Sequence, residues 1–517
     1  MKKISILFLT VTLLLVMSCS GSKTTQTTGS ESTRGKLSAR ENPLVTKQDT
    51  VVISLASDLQ TLDPLLSTTI VTNEVQSNAY ESLVTSDLAG NVEPLIVTSW
   101  DYDDATFTYT LHLRNDVYFH DGSKLTAKDV KYSLDVGKKT GRMTLSCNYI
   151  DTTEVIDDTT VKVKLISNYS PFLYFVGINL KILPAASAAG GTIDLTKTMI
   201  GTGPYKMVEY TPGDKAVFTI FDQYYGPKPP IKNLIFKIIP DPTTQLIALE
   251  SGELNLSRDF PMNNIQSILD NPQLDIFSGE SGNVYYMGIN ETFPAFQDIR
   301  VRQALNYAID RDFVIEACEE GYANHANSVA NKGMFGYTED AKYYEYDPAK
   351  AKQLLADAGY ANGLDIPPIL TKDGKFRKAA EVILEDLKAI GITTSVNVME
   401  TSGFNQDYQK KNYALAVTSV NLGQDAHHST MMFQSTTYLN YFNINDPQLD
   451  KWCLDAASDQ DLTVRKNLYH QILTYVADQA YFVPLYYPQK VWAVTSGLQN
   501  STYNRFVGVL AQYMSWK

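Results

Sequence analysis

The spacing of apolar residues changes near residue 290, and this constrains the chain more than any other feature of its sequence. Before that point VVISLASD, FTYTLHLR, VYFH, TTVKVKLI, AVFTIF and NLIFKIIP read as strands, separated by Asp-Asp, Asp-Gly and Asp-Asp-Thr turns. After it the pattern is helical. In DIRVRQALNYAIDRDFVI, Asp298 is placed to cap a helix whose inward face carries Val301, Leu305, Ala308 and Ile309. DPAKAKQLLADAGY has an aspartate cap, proline at the first helical position and Gly359 as terminator. KFRKAAEVILEDLKAIG, DPQLDKWCLDAA and DLTVRKNLYHQILTYVADQA give further helices, TTSVNVME a strand, and VPLYYPQKVWAV a closing strand. Helix followed by strand implies mixed α/β layers. At 517 residues and 44% hydrophobic content, several domains are expected, and no repeat of solenoid period is visible.

The first residues, MKKISILFLTVTLLLVMSCSGS, read as a secretory signal over 1–18: two lysines, an apolar run too short to span a bilayer, then Ser18 and Cys19. VMSC resembles the lipobox of bacterial lipoproteins, in which the cysteine becomes the lipidated first residue, so Cys19 is the expected anchor. Residues 19–49 are dominated by Ser, Thr and Lys and cannot bury enough apolar surface to order themselves. As a coil of about 30 residues they form a tether with a reach of roughly 30 Å.

A net charge of −13 without long basic runs argues against a nucleic-acid partner. Cys147, Cys318 and Cys453 show no CxxC spacing and no histidines at metal-site spacing; Cys453, on an apolar helical face, is expected to be a buried thiol. In RNDVYFHDGSKLTAKDVKYSL, His120 precedes the turn pair Asp121-Gly122, and Thr126 with Asp129 has the spacing of a helix cap, so the His120–Asp121 pair reads as scaffold rather than as a catalytic pair. GTGPYK resembles a phosphate loop only superficially, since Pro204 follows the glycines and strand-like residues come next, so it reads as a tight turn, and neither GxSxG nor HExxH occurs. His427 and His428 in LGQDAHHSTMMFQ are candidate metal ligands with Asp425, against which stands a reading as solvated loop histidines.

Taken in order, YESLVTSDLAGNVEPLIVTSW, TLHLRNDVYFHDGSKLTAKDVKYSL, GTGPYK, RVRQALNYAIDRD and DPAKAKQLLADAG resemble the bacterial extracellular solute-binding proteins of family 5. These are the oligopeptide-, dipeptide- and nickel-binding lipoproteins that serve ABC importers. The resemblance runs from about Val51 to the C-terminus. It implies an α/β, two-lobed periplasmic-binding-protein fold of type II, with mixed sheets flanked by helices. The first lobe is expected at 50–284 plus 490–517, with an extra subdomain at 82–197, and the second at 285–489. In peptide-binding relatives an aspartate of the second lobe takes the ligand's α-ammonium, and Asp425 matches it, although Ala426, His427 and His428 depart from the pattern that follows. Asn421, Leu422 and Gly423 are expected to offer backbone groups, with Thr68, Thr69 and Tyr487 facing the same cleft. The implied protein is a monomeric binder of a small peptide, with no cofactor, held to the membrane by lipid on the extracytoplasmic side and serving the membrane subunits of an ABC importer. Alternatives are a nickel or other metal chelate, or an oligosaccharide, in the same cleft, and more remotely a secreted hydrolase.

Overall fold

Phe482–Thr495 form one strand of 14 residues, about 45 Å long at the usual rise per residue. Its first half pairs antiparallel with Asn283–Ile289 and Ala323–His325. Its second half pairs with Leu274–Glu280 and Leu256–Ser257. Ser281 and Gly282, between the two partner strands, and Pro488, midway along the long strand, mark where the chain passes from one part of the sheet to the other. Proline offers no amide for a ladder bond, and a bulge between Tyr285 and Tyr286 shifts the register beside it. Two chain crossings thus lie side by side, tied where the Ser281 amide donates to the Pro488 carbonyl at 3.1 Å.

The computed structural model describes residues 49–87, 89–139, 143–188, 191–421, 423–500, 503–504 and 508–517. The expected signal peptide, Cys19, the tether up to residue 48 and Leu422 lie outside the described residues. On one side of the crossings, Thr50–Leu55 runs parallel to Asn233–Ile238, followed by antiparallel Lys215–Ile220 and Tyr205–Thr211. Val51, Ile53, Ser54 and Leu55 are all fully buried, as befits a strand covered on both faces. On the other side, Asn283–Ile289 is followed by Leu415–Asn421, Ile369–Lys372 and Val396–Met399. The helices Ile299–Ala308, Arg311–Glu319, Pro348–Asp357 and Lys375–Ala389 pack on this part around Met287, Leu305, Ile383 and Leu415. The molecule is therefore the two-lobed α/β fold, with a large mixed sheet flanked by helices.

The expected caps form. The Asp298 carboxylate accepts from the Arg300 amide at 2.9 Å, and that of Asp347 from the Lys350 amide at 2.9 Å, with Pro348 at the helix start. A separate four-stranded antiparallel sheet orders Val97–Asp103, Thr108–Leu113, Thr160–Leu165 and Ile150–Asp157, with the helix Ala127–Gly137 against it. Tyr109, Leu111, Leu113, Val161, Val163 and Leu165 alternate inward. Here the VYFH expectation is corrected: only a single bridge, Tyr118 to Lys124, forms, because the Asp121–Gly122 turn sends the chain directly into the helix.

His120 joins two motifs. Its Nδ1 accepts from the Gly201 amide at 3.3 Å, so the ring proton sits on Nε2, which faces the Gly203 carbonyl at 3.0 Å. Burial, only partly offset by the backbone contacts, lowers its pKa to about 4. Nearby, the Glu81 carboxyl accepts from the hydroxyls of Thr202, Tyr224 and Tyr225. Burial, against those hydrogen bonds, raises it to about 7. Cys147, Cys318 and Cys453 are buried and free, and burial raises the Cys453 thiol to about 12.

Candidate ligand-binding site

The strand Leu415–Asn421 ends in an exposed Asn421, turns through Gly423 and enters the short helix Ala426–Met431 at Asp425. Gly423 has φ +83°, a conformation that costs glycine little, and a Cβ there would meet the Phe175 ring at 3.7 Å. Phe335 runs parallel to this turn: its amide donates to the Gln424 carbonyl at 2.8 Å and its carbonyl accepts from the Ala426 amide at 2.9 Å. Gly90 of the facing segment can approach only without a side chain, since a Cβ would lie 2.6 Å from the Phe335 amide nitrogen.

Asp425 does two things at once. Oδ1 accepts from the His427 amide at 2.8 Å and caps the helix; Oδ2 accepts from Arg465 Nη2 at 2.7 Å. Both side chains of this pair are fully buried. Arg465 comes from the helix Leu462–Asp478, and its Nε donates to the Ala456 carbonyl at 3.1 Å. The guanidinium lies 4.9 Å from the Phe335 ring, 5.4 Å from Tyr469 and 5.6 Å from Tyr174. Burial opposes its charge, but Asp425 and Tyr469 outweigh that and hold its pKa above the ordinary value.

The other wall belongs to the unit that carries the four-stranded sheet. Its π-helical turn Leu173–Gly177 brings Phe175 within 3.7 Å, ring to ring, of His428 and 5.9 Å of His427. Such wide turns recur at functional sites. Tyr169 meets His427 edge-on at 5.5 Å. Phe175, Phe335, Met432, Phe433 and Tyr469 belong to one apolar cluster that crosses the junction. Polar contacts cross it at the rim. The Ser170 amide donates to the Ala457 carbonyl at 2.9 Å, Gln460 Nε2 to Asn168 Oδ1 at 2.7 Å, and the Tyr109 hydroxyl to Gln460 Oε1 at 3.3 Å. They border an open groove of about 540 Å³ whose walls include Asp104, Asp455 and Asp459.

The structure brings Asn421, Gly423, Asp425, His427 and His428 to one junction, while the other expected residues have different partners. Thr68 is bound to Gln60, and Thr69 caps the helix Ile70–Gln76. The Tyr487 hydroxyl accepts from the Ser328 amide at 3.2 Å and lies 2.8 Å from the Ala330 carbonyl, pinning the loop that leads to Phe335. The solvated-loop reading of the histidines is corrected: both lie on a helix, and His427 is only 5% exposed. The tight turn after Gly423 starts the helix directly and turns His427 inward. Burial, then His428 and Arg465, lower its pKa well below the ordinary value. No group of three or more His, Cys, Asp or Glu side chains suited to a metal occurs among the described residues. Sequence reasoning missed Arg465, although a lone arginine four residues before Tyr469 on an otherwise apolar helix face was a visible signal. Phe335 and Phe175 carried no such mark.

Comparison with known proteins agrees with this architecture. Over 434 residues the chain is 27% identical to Heme-binding protein A of Haemophilus influenzae, covering 76% of this chain and 79% of that protein. It is 26% identical over 466 residues to Glutathione-binding protein GsiB of Escherichia coli K12, covering 87% and 91% respectively. The structure of the periplasmic binding protein DppA from Helicobacter pylori, in complex with peptide STSA, superposes with a TM-score of 0.72 at 26% identity, covering 91% of this chain and 98% of that one. The family described as bacterial extracellular solute-binding proteins, family 5, matches residues 91–441, and the chain belongs to that family.

Proposed function

We propose that this protein is a receptor on the extracytoplasmic side of the membrane that captures short peptides and passes them to the membrane subunits of an ABC importer, without making or breaking bonds. The observation that carries the reading is the strand Leu415–Asn421, which ends at the junction of the two halves with Asn421 exposed and Gly423 partly so. Its pairing with Ile369–Lys372 is made at Ala416, and an extended ligand can add main-chain hydrogen bonds beside the later residues of the strand, which supplies affinity without regard to sequence. Two matches support a peptide: the relative named for glutathione, itself a tripeptide, and the Helicobacter pylori protein bound to STSA. Residues 421–423 offer the backbone in this reading, and Asp425 meets the ligand's ammonium with the acceptor positions that the helix cap and Arg465 leave over. Thr68, Thr69 and Tyr487 shape the surroundings.

Replacing Asp425 by alanine is expected to weaken binding of a free-amine tetrapeptide by roughly 10- to 1000-fold. Isothermal calorimetry decides it, and unchanged affinity removes Asp425 from the site. Mass spectrometry of solute co-purified with the protein tests the peptide class against a metal chelate or an oligosaccharide. Lipid anchoring through Cys19 is part of the proposal. Cys19→Ala is expected to move the protein from the membrane pellet to the supernatant.

A further inference from the structure

The groove of about 540 Å³ at the rim of the junction takes its walls from both halves. Asp104 and Asn168 come from the unit with the four-stranded sheet. Asp455, Ser458 and Asp459 come from the end of the helix Pro447–Ser458, and Val464 and Leu468 from the helix Leu462–Asp478. The bond from Gln460 Nε2 to Asn168 Oδ1, at 2.7 Å, joins the two sides. Parting the halves divides the groove, so it is whole only in the shut molecule.

Its lining is of two kinds. Val464 is 41% exposed, and Leu462 at the start of the same helix is 51% exposed. Apolar side chains left in water gain from being covered. Beside Val464 and Leu468 stand three carboxylates. Asp455 meets Lys451 at 2.5 Å, whereas Asp104 and Asp459 form no ion pair among the described residues. Shutting the molecule brings Asp104 into the same groove as Asp455 and Asp459, and like charges gathered there repel. The lining selects its occupant. A simple cation answers the carboxylates but leaves Val464 and Leu468 in water. A second copy of this chain, with a net charge of −13, adds repulsion. An open groove does not enclose a small solute. A protein segment with an apolar residue flanked by lysine or arginine answers both kinds of lining.

We infer that the groove between Asp104 and the helices at Asp455, Asp459 and Val464 docks a basic, apolar-tipped segment of the importer's membrane subunit. This rests on the reading of the protein as an importer's receptor. The segment engages the shut form in preference to the open one, because only the shut form presents both walls. Its positive charge offsets the repulsion among the three aspartates, so docking and closure favour one another.

A photoreactive group placed in the groove tests this. Ser458 is exposed on its wall, while Cys147, Cys318 and Cys453 are buried, so Ser458→Cys in the full chain can be labelled with benzophenone maleimide. Irradiated with membranes of the source bacterium, the labelled protein is expected to give an adduct that mass spectrometry identifies as a membrane subunit of an ABC importer. Adding Asp104→Lys is expected to lower the yield roughly 10-fold, and Val464→Ser to lower it as well. Melting temperatures should stay unchanged, since both positions are exposed, and two variants of different chemistry keep the test readable should one not fold. Absence of such an adduct, an adduct with a second copy of this chain in its place, or a yield that neither variant lowers overturns the inference. Disuccinimidyl suberate on the unaltered chain separates the failures. An adduct with an importer's membrane subunit there, and none from Ser458, overturns the inference alone; none from either takes the receptor reading with it.

Discussion

At the scale of single residues, the distinction that matters is between a charge that is paired and one that is available. Removing Arg465 strands the Asp425 carboxylate in an apolar setting. Arg465→Leu is therefore expected to destabilise the protein by about 3–5 kcal/mol, and Asp425→Leu in the same chain to recover part of it. Urea melts of the single and double variants measure the difference. Glu81 gives a pH signature of opposite origin. Its folded pKa, about 7, lies above the ordinary carboxyl value, so the folded state binds its proton more tightly than the unfolded state. Its contribution is fully present below the ordinary value and is lost as pH rises through about 7. Glu81→Gln is expected to flatten that part of the stability–pH curve, read from melting temperatures across it. Neither feature was legible in the sequence: Asp425 stood out as a match to a family position, while its partner lies 40 residues away in a helix whose docking no local pattern reveals.

At the scale of elements, the helices were legible because their signals are local. The caps at Asp298 and Asp347 depend on a side chain reaching an amide two or three residues on. The π-helical turn Leu173–Gly177 was not legible, because nothing in its composition distinguishes one extra residue per turn from an ordinary helix. The His120 element lies between these cases: its turn and helix cap were readable, its role was not. By accepting from Gly201 and donating toward Gly203, the imidazole ties the turn to the loop before the strand Tyr205–Thr211. His120→Ala is expected to cost roughly 1–3 kcal/mol in a denaturation measurement, because it leaves buried backbone groups without partners. Ligand affinity should barely change, since no ligand-facing role is assigned to it.

At the scale of the whole molecule, the two crossings at 281–282 and within Phe482–Thr495 leave the halves joined by few strands, which allows a hinge. The contacts made by Gln460 with Asn168 and Tyr109 exist only while the halves touch there. Gln460→Ala is expected to weaken solute binding by about 3- to 10-fold, mainly through faster release, as stopped-flow dissociation would show. Solution scattering should record a smaller radius of gyration with bound peptide than without it. What the sequence determined by itself is everything carried by neighbours along the chain: strands, helices, caps, and the ordered motifs that mark the family. Only the tertiary structure decided that Asp425 would meet Arg465, that His427 would turn inward, and that Phe175 would close over them. Those contacts join segments tens to hundreds of residues apart, and their energies depend on which groups lose water together when the halves meet, a property that exists only once the chain has folded.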